Sequence, residues 1–309
     1  MATTSTIMEK AQVYKHTVSN RNHQGERDTL EKNKSVKPIL KWVGGKRQLL
    51  DEIDKRIPKK YTMYVEPFVG GGAVLLNRQP QRARINDWNN ELVNVYKVIR
   101  DNPDDIIEIL RYHKEQNTIL GSEWYYSIRG LDRTSHFKKL SPVERAARMI
   151  YLNKTCYNGL FRVNASGQLN VPYGQYKNPN IVNEIGIRAL HSYLSQANID
   201  IRQGDFSDSL KELPEGSFVY LDPPYMPVTA TSSFTSYTQG GFDYNEQVRL
   251  RDECLKLRDQ GIGFLESNSD CEAIRELYKD FTIETVYAKR AINSRSDKRG
   301  VVKEVLISG

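Results

Sequence analysis

The chain has 309 residues, of which 39% are hydrophobic and 27% are charged, so it can bury a large core and has the composition of a globular protein. Its formal net charge of +7 favours an anionic partner. Three scattered cysteines without a CxxC pair and five histidines without HExxH spacing argue against disulfides and a metal site, so we expect a metal-free protein of the reducing cytoplasm.

Residues 1–37 are polar and poor in large apolar side chains, which predicts a flexible tail. A basic arm that follows DNA is the alternative, but the mixed charge of the segment argues against it. The segment lacks the apolar stretch of a signal peptide, and no later run has the length of a membrane span. We therefore expect no membrane partner.

The rest of the chain alternates between strand-like and helix-like patterns. Strands are predicted at 62–65, 83–85, 199–201, 218–222, 262–265, 281–288 and 301–307, and helices at 73–77, 91–100, 104–115, 142–152 and 246–259. The alternation predicts an α/β fold with a doubly wound, mostly parallel Rossmann-like sheet that ends in antiparallel strands. Two strand-like runs, 160–163 and 168–171, flank an Asn-Ala-Ser-Gly turn and predict a β-hairpin. We assign 38–102 and 184–309 to the main domain and 103–183 to an inserted module.

The segment KWVGGK at 41–46 combines a flat ring, two glycines and two cations. The Trp42 ring could stack on an adenine or face a sulfonium, and the lysines could meet anions. A tryptophan beside glycines is also typical of a core, so the segment alone does not identify a site.

A glycine-rich turn, EPFVGGG at 66–72, lies between a predicted strand and a predicted helix, where glycines let the backbone approach a ligand closely. It has neither the lysine of a P-loop nor a complete GxGxxG pattern. Asp87 follows the next strand and could accept hydrogen bonds from ribose hydroxyls. It could also be the N-cap of a helix, and the two roles are compatible. Together these features predict a nucleoside-containing cofactor without a pyrophosphate.

The tetrapeptide Asp222-Pro223-Pro224-Tyr225 follows a buried apolar run. Its prolines cannot extend a strand, so the chain turns outward at the carboxyl end of the strand, where open α/β sheets bind ligands. A carboxylate and a free carbonyl could hold the two hydrogens of an amino group, while the Tyr225 ring stacks on a flat base. The tetrapeptide alone also fits a strand that ends in a Pro-Pro turn with a packed tyrosine.

The segments KWVGGK, EPFVGGG, IND and DPPY occur in the order found in the Dam-type DNA adenine methyltransferases, and the chain resembles that family across residues 39–307. The stretches 152–164 and 170–176 are similar to the target-recognition hairpin of members that methylate GATC. The resemblance implies a class I, S-adenosylmethionine-dependent enzyme that methylates the N6 amine of a flipped-out adenine in double-stranded DNA. It makes 38–102 and 184–309 the catalytic, donor-binding domain and 103–183 the target-recognition module.

The resemblance also assigns residues to each site. It implies an S-adenosylmethionine pocket lined by Trp42, Lys46, Phe68, Gly70, Gly72, Asp87, Asp205 and Asp222. The catalytic positions are Asp222, Pro223, Pro224 and Tyr225. Lys41 matches a position that reads the first guanine, and further DNA-contacting positions match Tyr157, Asn158, Leu160, Arg162, Asn164, Pro172 and Tyr176. Gln175 departs from the arginine of many members, and Glu266 stands where a smaller residue is expected.

The chemistry suits these assignments, because the amine of a paired adenine is out of reach until the base is extruded. Asp222 and the Pro223 carbonyl would then accept the two amino hydrogens, and Arg162 could offer paired donors to a guanine edge. The basic loop at 289–299 could contact phosphates, or it could be an ordinary solvated loop.

Two other functions remain open from the sequence. An enzyme that methylates a protein glutamine or an RNA base would usually carry Asn in place of Asp222 and lack the hairpin. A DNA-binding regulator without catalysis would need neither DPPY nor the glycine turn. We expect a monomer that acts on double-stranded DNA, with a cognate restriction endonuclease as a candidate functional partner.

Overall fold

The computed structural model describes residues 32–227, 241–289 and 301–309. The described residues from Asn33 to Gly309 belong to one compact unit. The predicted tail at 1–37 and the predicted phosphate-contacting loop at 289–299 lie almost entirely outside the described residues.

The described strands form one seven-stranded sheet in the order β3-β2-β1-β4-β5-β7-β6. They are β1 (Tyr64–Glu66), β2 (Arg82–Asp87), β3 (Asn198–Gln203), β4 (Phe218–Leu221), β5 (Gly263–Ser269), β6 (Thr282–Lys289) and β7 (Val301–Ser308). Strands β1 to β5 are parallel, and β7 runs antiparallel to both β5 and β6. The predicted α/β class and mostly parallel sheet are confirmed. The expected antiparallel pairing at the end of the sheet is also confirmed, since β7 pairs antiparallel with both β5 and β6.

The described helices include all five that the sequence predicts. They are α1 (Leu50–Arg56), α2 (Ala73–Arg78), α3 (Asn90–Asp101), α4 (Pro103–Leu120), α5 (Ser122–Gly130), α6 (Pro142–Thr155), α7 (Glu184–Gln196), α8 (Phe206–Ser209), α9 (Tyr244–Asp259) and α10 (Glu272–Leu277). Short 3-10 helices occupy Leu131–Arg133, Ser135–Lys139 and Tyr157–Gly159. Helix α6 begins with a complete capping box formed by Ser141 and Glu144. No helix of the described residues is long and apolar enough to cross a membrane.

Helices cover both faces of the sheet because successive strand residues point to opposite sides. In β4, Phe218 and Tyr220 belong to one buried cluster, and Val219 and Leu221 belong to another. The first cluster includes apolar residues of α2, α3, α4, α6 and α7, and the second includes those of α9 and α10. This two-sided burial is why β4 reads as a continuous apolar run.

The residues assigned to the inserted module share their core with the main domain. Leu110 of α4, Tyr125 of α5 and Ile150 of α6 lie in the same buried cluster as Leu92 of α3 and Leu190 of α7. The assignment of 103–183 to a separate functional module therefore stays a prediction. The shared core fixes the module relative to the sheet.

A hairpin is present at the predicted place, although its two sides form an isolated bridge instead of regular strands. Val163 bridges Leu169, and the Asn170 N–H donates to the Arg162 carbonyl at 3.0 Å. Gly167 supplies the positive φ of 73° that closes the turn.

Glu66 lies at the end of β1, and we expect it to make the stability of the folded protein depend on pH. The side chain is buried, and burial raises its pKa to about 8, although a hydrogen bond from Tyr64 opposes the shift. The native state therefore keeps a proton that the unfolded chain releases near pH 4.5. The stabilising contribution of this proton is complete below pH 4.5 and is lost as the pH rises through about 8.

We expect the wild-type melting temperature to fall as the pH rises from 5 to about 8.5, and the Glu66→Gln variant to show a shallower fall. Glutamine can still accept the Tyr64 hydrogen bond but does not ionise. Thermal unfolding at a series of pH values, with exposed Glu272→Gln as the control, tests this. Parallel pH profiles for Glu66→Gln and wild type would contradict it.

Candidate active site

The chemically informative segments meet at the carboxyl ends of three neighbouring strands. The glycine turn follows β1, Asp87 ends β2, and the DPPY segment follows β4. The chain passes from β1 to β2 and β3 on one side and then crosses to β4 and β5 on the other, so the strand order reverses between β1 and β4. Such a switch point is where doubly wound sheets bind ligands.

Asp87 organises the glycine turn. Its carboxylate accepts the Gly70 N–H at 3.0 Å and the Asn89 N–H at 2.9 Å. Burial raises the pKa of Asp87 to about 6, although the two N–H donors oppose the shift. The alternative role of Asp87 as a helix N-cap was wrong, because the Asn89 side chain caps α3 by accepting the Leu92 N–H.

The turn requires glycine at its closest approach to the preceding segment. Gly70 has a φ of 49°, and a Cβ there would lie 2.9 Å from Cδ1 of Trp42. The other side of the contact is also aromatic, since Trp42 stacks on Phe161 of the hairpin with ring centroids 5.1 Å apart. The structure thus brings the glycine turn, Trp42 and the hairpin together.

Two other residues predicted to line the donor pocket, Phe68 and Asp205, lie beside α8. Phe68 packs against Phe206 and Phe242, with centroid distances of 5.3 and 5.7 Å. The Asp205 carboxylate accepts two hydrogen bonds from Arg249, at 3.0 and 2.7 Å, as well as bonds from Ser207. Burial opposes ionisation of Asp205, but the bonds from Arg249 and Ser207 outweigh it and lower the pKa to about 2. The structure thus assigns Asp205 a capping and ion-pairing role that the sequence did not suggest.

The Asp222 carboxylate is paired with Lys46. The Lys46 Nζ lies 2.7 Å from Asp222 Oδ1, donates to the Gly44 carbonyl at 2.6 Å and sits 4.6 Å from the centre of the Tyr225 ring. Burial raises the pKa of Asp222 to about 6, although Lys46 opposes the shift. The Tyr225 hydroxyl donates to Glu304 at 2.7 Å. The Lys46 ammonium therefore contacts both the Asp222 carboxylate and the Tyr225 ring, the two side chains that the sequence predicts to bind the adenine.

The two proline carbonyls differ in availability. The Pro224 carbonyl accepts a hydrogen bond from Gln247 Nε2 at 2.9 Å. No donor within the described part of the chain bonds the Pro223 carbonyl. Pro223 therefore offers a ligand the acceptor that lies next to Asp222.

Lys41 and Tyr176 lie together beside the 3-10 helix at 157–159. Asn153 bonds both backbone groups of Lys41, at 2.9 and 2.8 Å, and the Lys41 Nζ lies 5.2 Å from the Tyr176 ring centre. A Cβ on Gly159 would lie 2.4 Å from the Lys41 side chain, so glycine is required there. Asn153, which the sequence analysis did not assign, was detectable only as a polar residue within an otherwise apolar helix face.

The predicted duplex-entering residues stand on an exposed corner. Tyr157 is 50% exposed, and its N–H donates to the Pro172 carbonyl at 2.8 Å. Asn158 has a φ of 56°, in the left-handed region that asparagine tolerates better than most residues. Leu160 is half-buried against the core. The corner therefore presents Tyr157 and Asn158 to solvent on a fixed base.

Arg162 and Asn164 bond within the hairpin. The exposed Arg162 guanidinium donates to the side chain of Asn170 at 2.8 Å and to its carbonyl at 3.3 Å. The Asn164 side chain accepts the N–H groups of Ser166 and Gln168 and donates to the Gln168 side chain. Asn164 thus holds the turn in this state, and Arg162 remains the more accessible donor.

A group of cations adjoins this corner. Lys41 and Arg47 are exposed, and Lys154 of α6 lies near both. Burial, together with the repulsion from Lys41 and Arg47, lowers the pKa of Lys154 to about 8. Arg47 and Lys154 were not among the residues predicted to contact DNA, and nothing in their sequence spacing indicates that they meet.

Taken with the sheet order, these features define a Rossmann-like methyltransferase. The chain belongs to the D12 class N6 adenine-specific DNA methyltransferases, whose family model matches residues 42–292. The predicted Dam-type family and the adenine-specific methyltransferase activity are confirmed. The two alternatives, a glutamine or RNA methyltransferase and a non-enzymatic regulator, were therefore wrong.

Named relatives support the same family. The chain is 46% identical over 280 residues to the type II methyltransferase M1.LlaDCHI of Lactococcus lactis subsp. cremoris, covering 90% of this chain and 98% of that protein. It is 42% identical over 278 residues to the type II methyltransferase M.MjaIII of Methanocaldococcus jannaschii, covering 85% and 95%. It is 34% identical over 276 residues to the DNA adenine methylase of Escherichia coli K12, covering 88% and 95%. The family implies DNA as substrate and S-adenosylmethionine as methyl donor.

Proposed function

We propose that the chain methylates the N6 amine of adenine within GATC in double-stranded DNA, after the adenine has left the helix. The stretches 152–164 and 170–176, similar to those of GATC-methylating enzymes, support the target. The observation that carries the proposal is the stack of Trp42 on Phe161, because it joins the hairpin to the glycine turn. The residues that recognise the DNA and those that carry out methyl transfer would then be held in a fixed arrangement.

The glycine turn fits a nucleoside group. The backbone at Gly70 leaves no room for a side chain on the Trp42 side, and Asp87 has further lone pairs beyond its two N–H partners. S-adenosylmethionine, when bound, supplies an electrophilic methyl group on a sulfonium. Asp87 would accept hydrogen bonds from the ribose, and Trp42 and Phe68 would line the pocket.

The amine of an extruded adenine would replace Lys46 at the DPPY corner. Asp222 and the Pro223 carbonyl would accept its two hydrogens, which favours a pyramidal nitrogen with an available lone pair. Tyr225 would stack on the base in the place where the Lys46 ammonium now lies. When the nitrogen gains the methyl group it loses one proton, and Asp222 is placed to accept that proton. Most of the rate gain would come from positioning and electrostatics.

Lys46 needs a different partner once the base binds. Its Nζ is held by Asp222 and the Gly44 carbonyl, and the lysine side chain can rotate. The carboxylate of the methyl donor is a suitable partner of opposite charge. Lys46 would thus pair with the Asp222 carboxylate in the free enzyme and with the carboxylate of the methyl donor in the complex.

DNA would lie across the corner formed by Tyr157, Asn158 and the hairpin. Arg162 would offer paired donors to a guanine, and Lys41, Arg47 and Lys154 would meet phosphates or base edges. Tyr157 or Asn158 would enter the space that the adenine leaves. Because these groups are anchored to the shared core, the duplex would be held at a fixed distance from Asp222.

The test is methyl transfer from labelled S-adenosylmethionine to a GATC duplex and to a matched GTAC duplex of the same composition. We expect label in the GATC duplex, N6-methyladenine on hydrolysis, and a changed response to endonucleases that are sensitive to adenine methylation in GATC. Equal labelling of both duplexes would contradict the GATC target, and label on another base would contradict the N6 assignment.

We further propose that the enzyme acts as a monomer and that a restriction endonuclease recognises the same sequence. The type II names of the two relatives with the higher identity support the endonuclease. Light scattering of the enzyme with and without DNA tests the first point. Cleavage of unmethylated GATC DNA by a product of a neighbouring gene tests the second.

A further inference from the structure

A buried polar network lies behind the DPPY segment. Glu266 and Asn268 are two residues apart on β5 and so share one face of the strand, and Gln247 of α9 reaches the same place. All three side chains are completely buried. Asn268 Nδ2 donates to Glu266 Oε1 at 2.9 Å and to Gln247 Oε1 at 3.0 Å.

The network reaches the backbone of the DPPY segment at two points. Gln247 Nε2 donates to the Pro224 carbonyl at 2.9 Å, and Asn268 Oδ1 accepts the Met226 N–H at 3.2 Å. The Ser269 hydroxyl also donates to the Met226 carbonyl at 2.6 Å. The peptide groups on both sides of Tyr225 are therefore tied to β5 and α9.

The orientation of the Asn268 amide depends on Glu266. The amide oxygen accepts from two N–H groups, of Met226 and Ser269, and the amide nitrogen needs two acceptors. Gln247 supplies one acceptor and Glu266 supplies the other. Without Glu266, one N–H of Asn268 would be buried and unpaired, which favours rotation of the amide and loss of the loop contacts.

Glu266 occupies its position at a cost. Its neighbours include the Cys254 thiol at 3.8 Å and the Tyr278 hydroxyl, and no cation of the described residues pairs with it. Burial raises its pKa to about 7, although its hydrogen-bond partners oppose the shift. Apolar residues usually serve a core at least as well as an unpaired buried carboxyl group. A requirement other than core stability therefore explains this side chain best.

We propose that Glu266 is a positioning residue for methyl transfer, which acts through Asn268 and Gln247 to fix the Pro224 carbonyl and the Met226 N–H. The proposal rests on the function proposed above for Asp222, Pro223 and Tyr225. With the Pro224 carbonyl bonded toward the core, the Pro223 carbonyl is the one left to face the amine. The network thus determines which carbonyl accepts the second amino hydrogen beside Asp222, and it fixes the position of the Tyr225 ring.

The test compares Glu266→Met with Glu266→Gln. Methionine fills a similar volume but accepts no comparable hydrogen bond, whereas the glutamine carbonyl can still accept from Asn268. We expect Glu266→Met to lower kcat about 10-fold or more, with the Kd for S-adenosylhomocysteine and for GATC DNA within about twofold of wild type. Glu266→Gln should recover most of kcat, and exposed Glu272→Met serves as the matched control.

Thermal stability separates positioning from a structural role. We expect Glu266→Met to melt at or above the wild-type temperature while kcat falls. A loss of kcat that matches a loss of folded protein would overturn the inference, as would an unchanged kcat. A second pair of variants uses a swap: Asn268→Asp sets an acceptor against both Glu266 and Gln247, and Glu266→Gln added to it restores a donor on the Glu266 side. The double variant should be more active than Asn268→Asp alone, and equal activities would also overturn the inference.

Failure of this inference is distinguishable from failure of the proposed function. If Asp222→Ala is inactive and Glu266→Met keeps wild-type kcat, only the positioning role falls. If Asp222→Ala retains normal turnover, the proposed site itself is wrong.

Discussion

Replacing Asp222 by alanine should reduce kcat for methyl transfer by about 10³-fold or more, while most of the affinity for GATC DNA remains. The substitution removes the acceptor that would hold one amino hydrogen, and it removes the buried partner of Lys46. The DNA contacts proposed for the hairpin and for Lys41 lie on other segments, so the duplex should still bind. Single-turnover methylation and fluorescence anisotropy with labelled DNA measure the two quantities separately.

The controls for this variant address charge and folding. Asp208→Ala removes an exposed carboxylate of α8 and should leave kcat within about twofold of wild type. Asp222→Asn keeps the shape and one acceptor oxygen, but its amide hydrogens oppose those of the substrate amine, so we expect it to be nearly as inactive as alanine. Near-normal turnover by Asp222→Ala would remove the mechanism.

Replacing Arg162 by alanine should relax discrimination at one base pair of GATC, by about 1–3 kcal/mol, or roughly 5- to 150-fold in relative kcat/KM. The guanidinium is exposed and already oriented by Asn170, so little side-chain freedom would be lost on binding a guanine. The measurement is kcat/KM on GATC and on duplexes with one substituted pair, at one salt concentration.

Arg162→Lys is the matched control, because lysine keeps the charge and loses the paired donors. We expect it to bind DNA nearly as tightly as wild type and to discriminate almost as poorly as alanine. If Arg162→Ala weakens methylation equally on every duplex, Arg162 is a backbone contact and base reading lies elsewhere in the hairpin.

The sheet was predictable because β4 is buried on both faces and reads as a short apolar run, whereas β3 and β6 alternate apolar with polar residues between turn residues. The turns at Gly70 and at Pro223-Pro224 were predictable from local sequence, since glycine and proline restrict the backbone in ways that do not depend on distant residues. Helix α7 was not predicted, although Ile187, Leu190 and Leu194 are buried at helical spacing along it. The short helices α8 and α10 have too few residues to establish a period.

The contacts between distant residues could not be predicted. Nothing near Lys46 in the sequence indicates that its ammonium pairs with Asp222, because that contact depends on how two loops meet above the sheet. The role of Glu266 was equally hidden, since it needs Gln247 from a separate helix. The hydrogen bonds by which the Asn164 side chain holds the turn are local, so they could have been predicted from the sequence. The family resemblance instead predicts a DNA contact for Asn164.

A crystal structure of the enzyme with S-adenosylhomocysteine and a GATC duplex would test the proposed mechanism most directly. In that complex we expect an extruded adenine whose N6 lies within hydrogen-bond distance of both Asp222 and the Pro223 carbonyl. We also expect Tyr225 to stack on the base and Lys46 to have moved away from Asp222. A complex in which the duplex is bound at the hairpin while Lys46 stays on Asp222 and the adenine stays paired would contradict it.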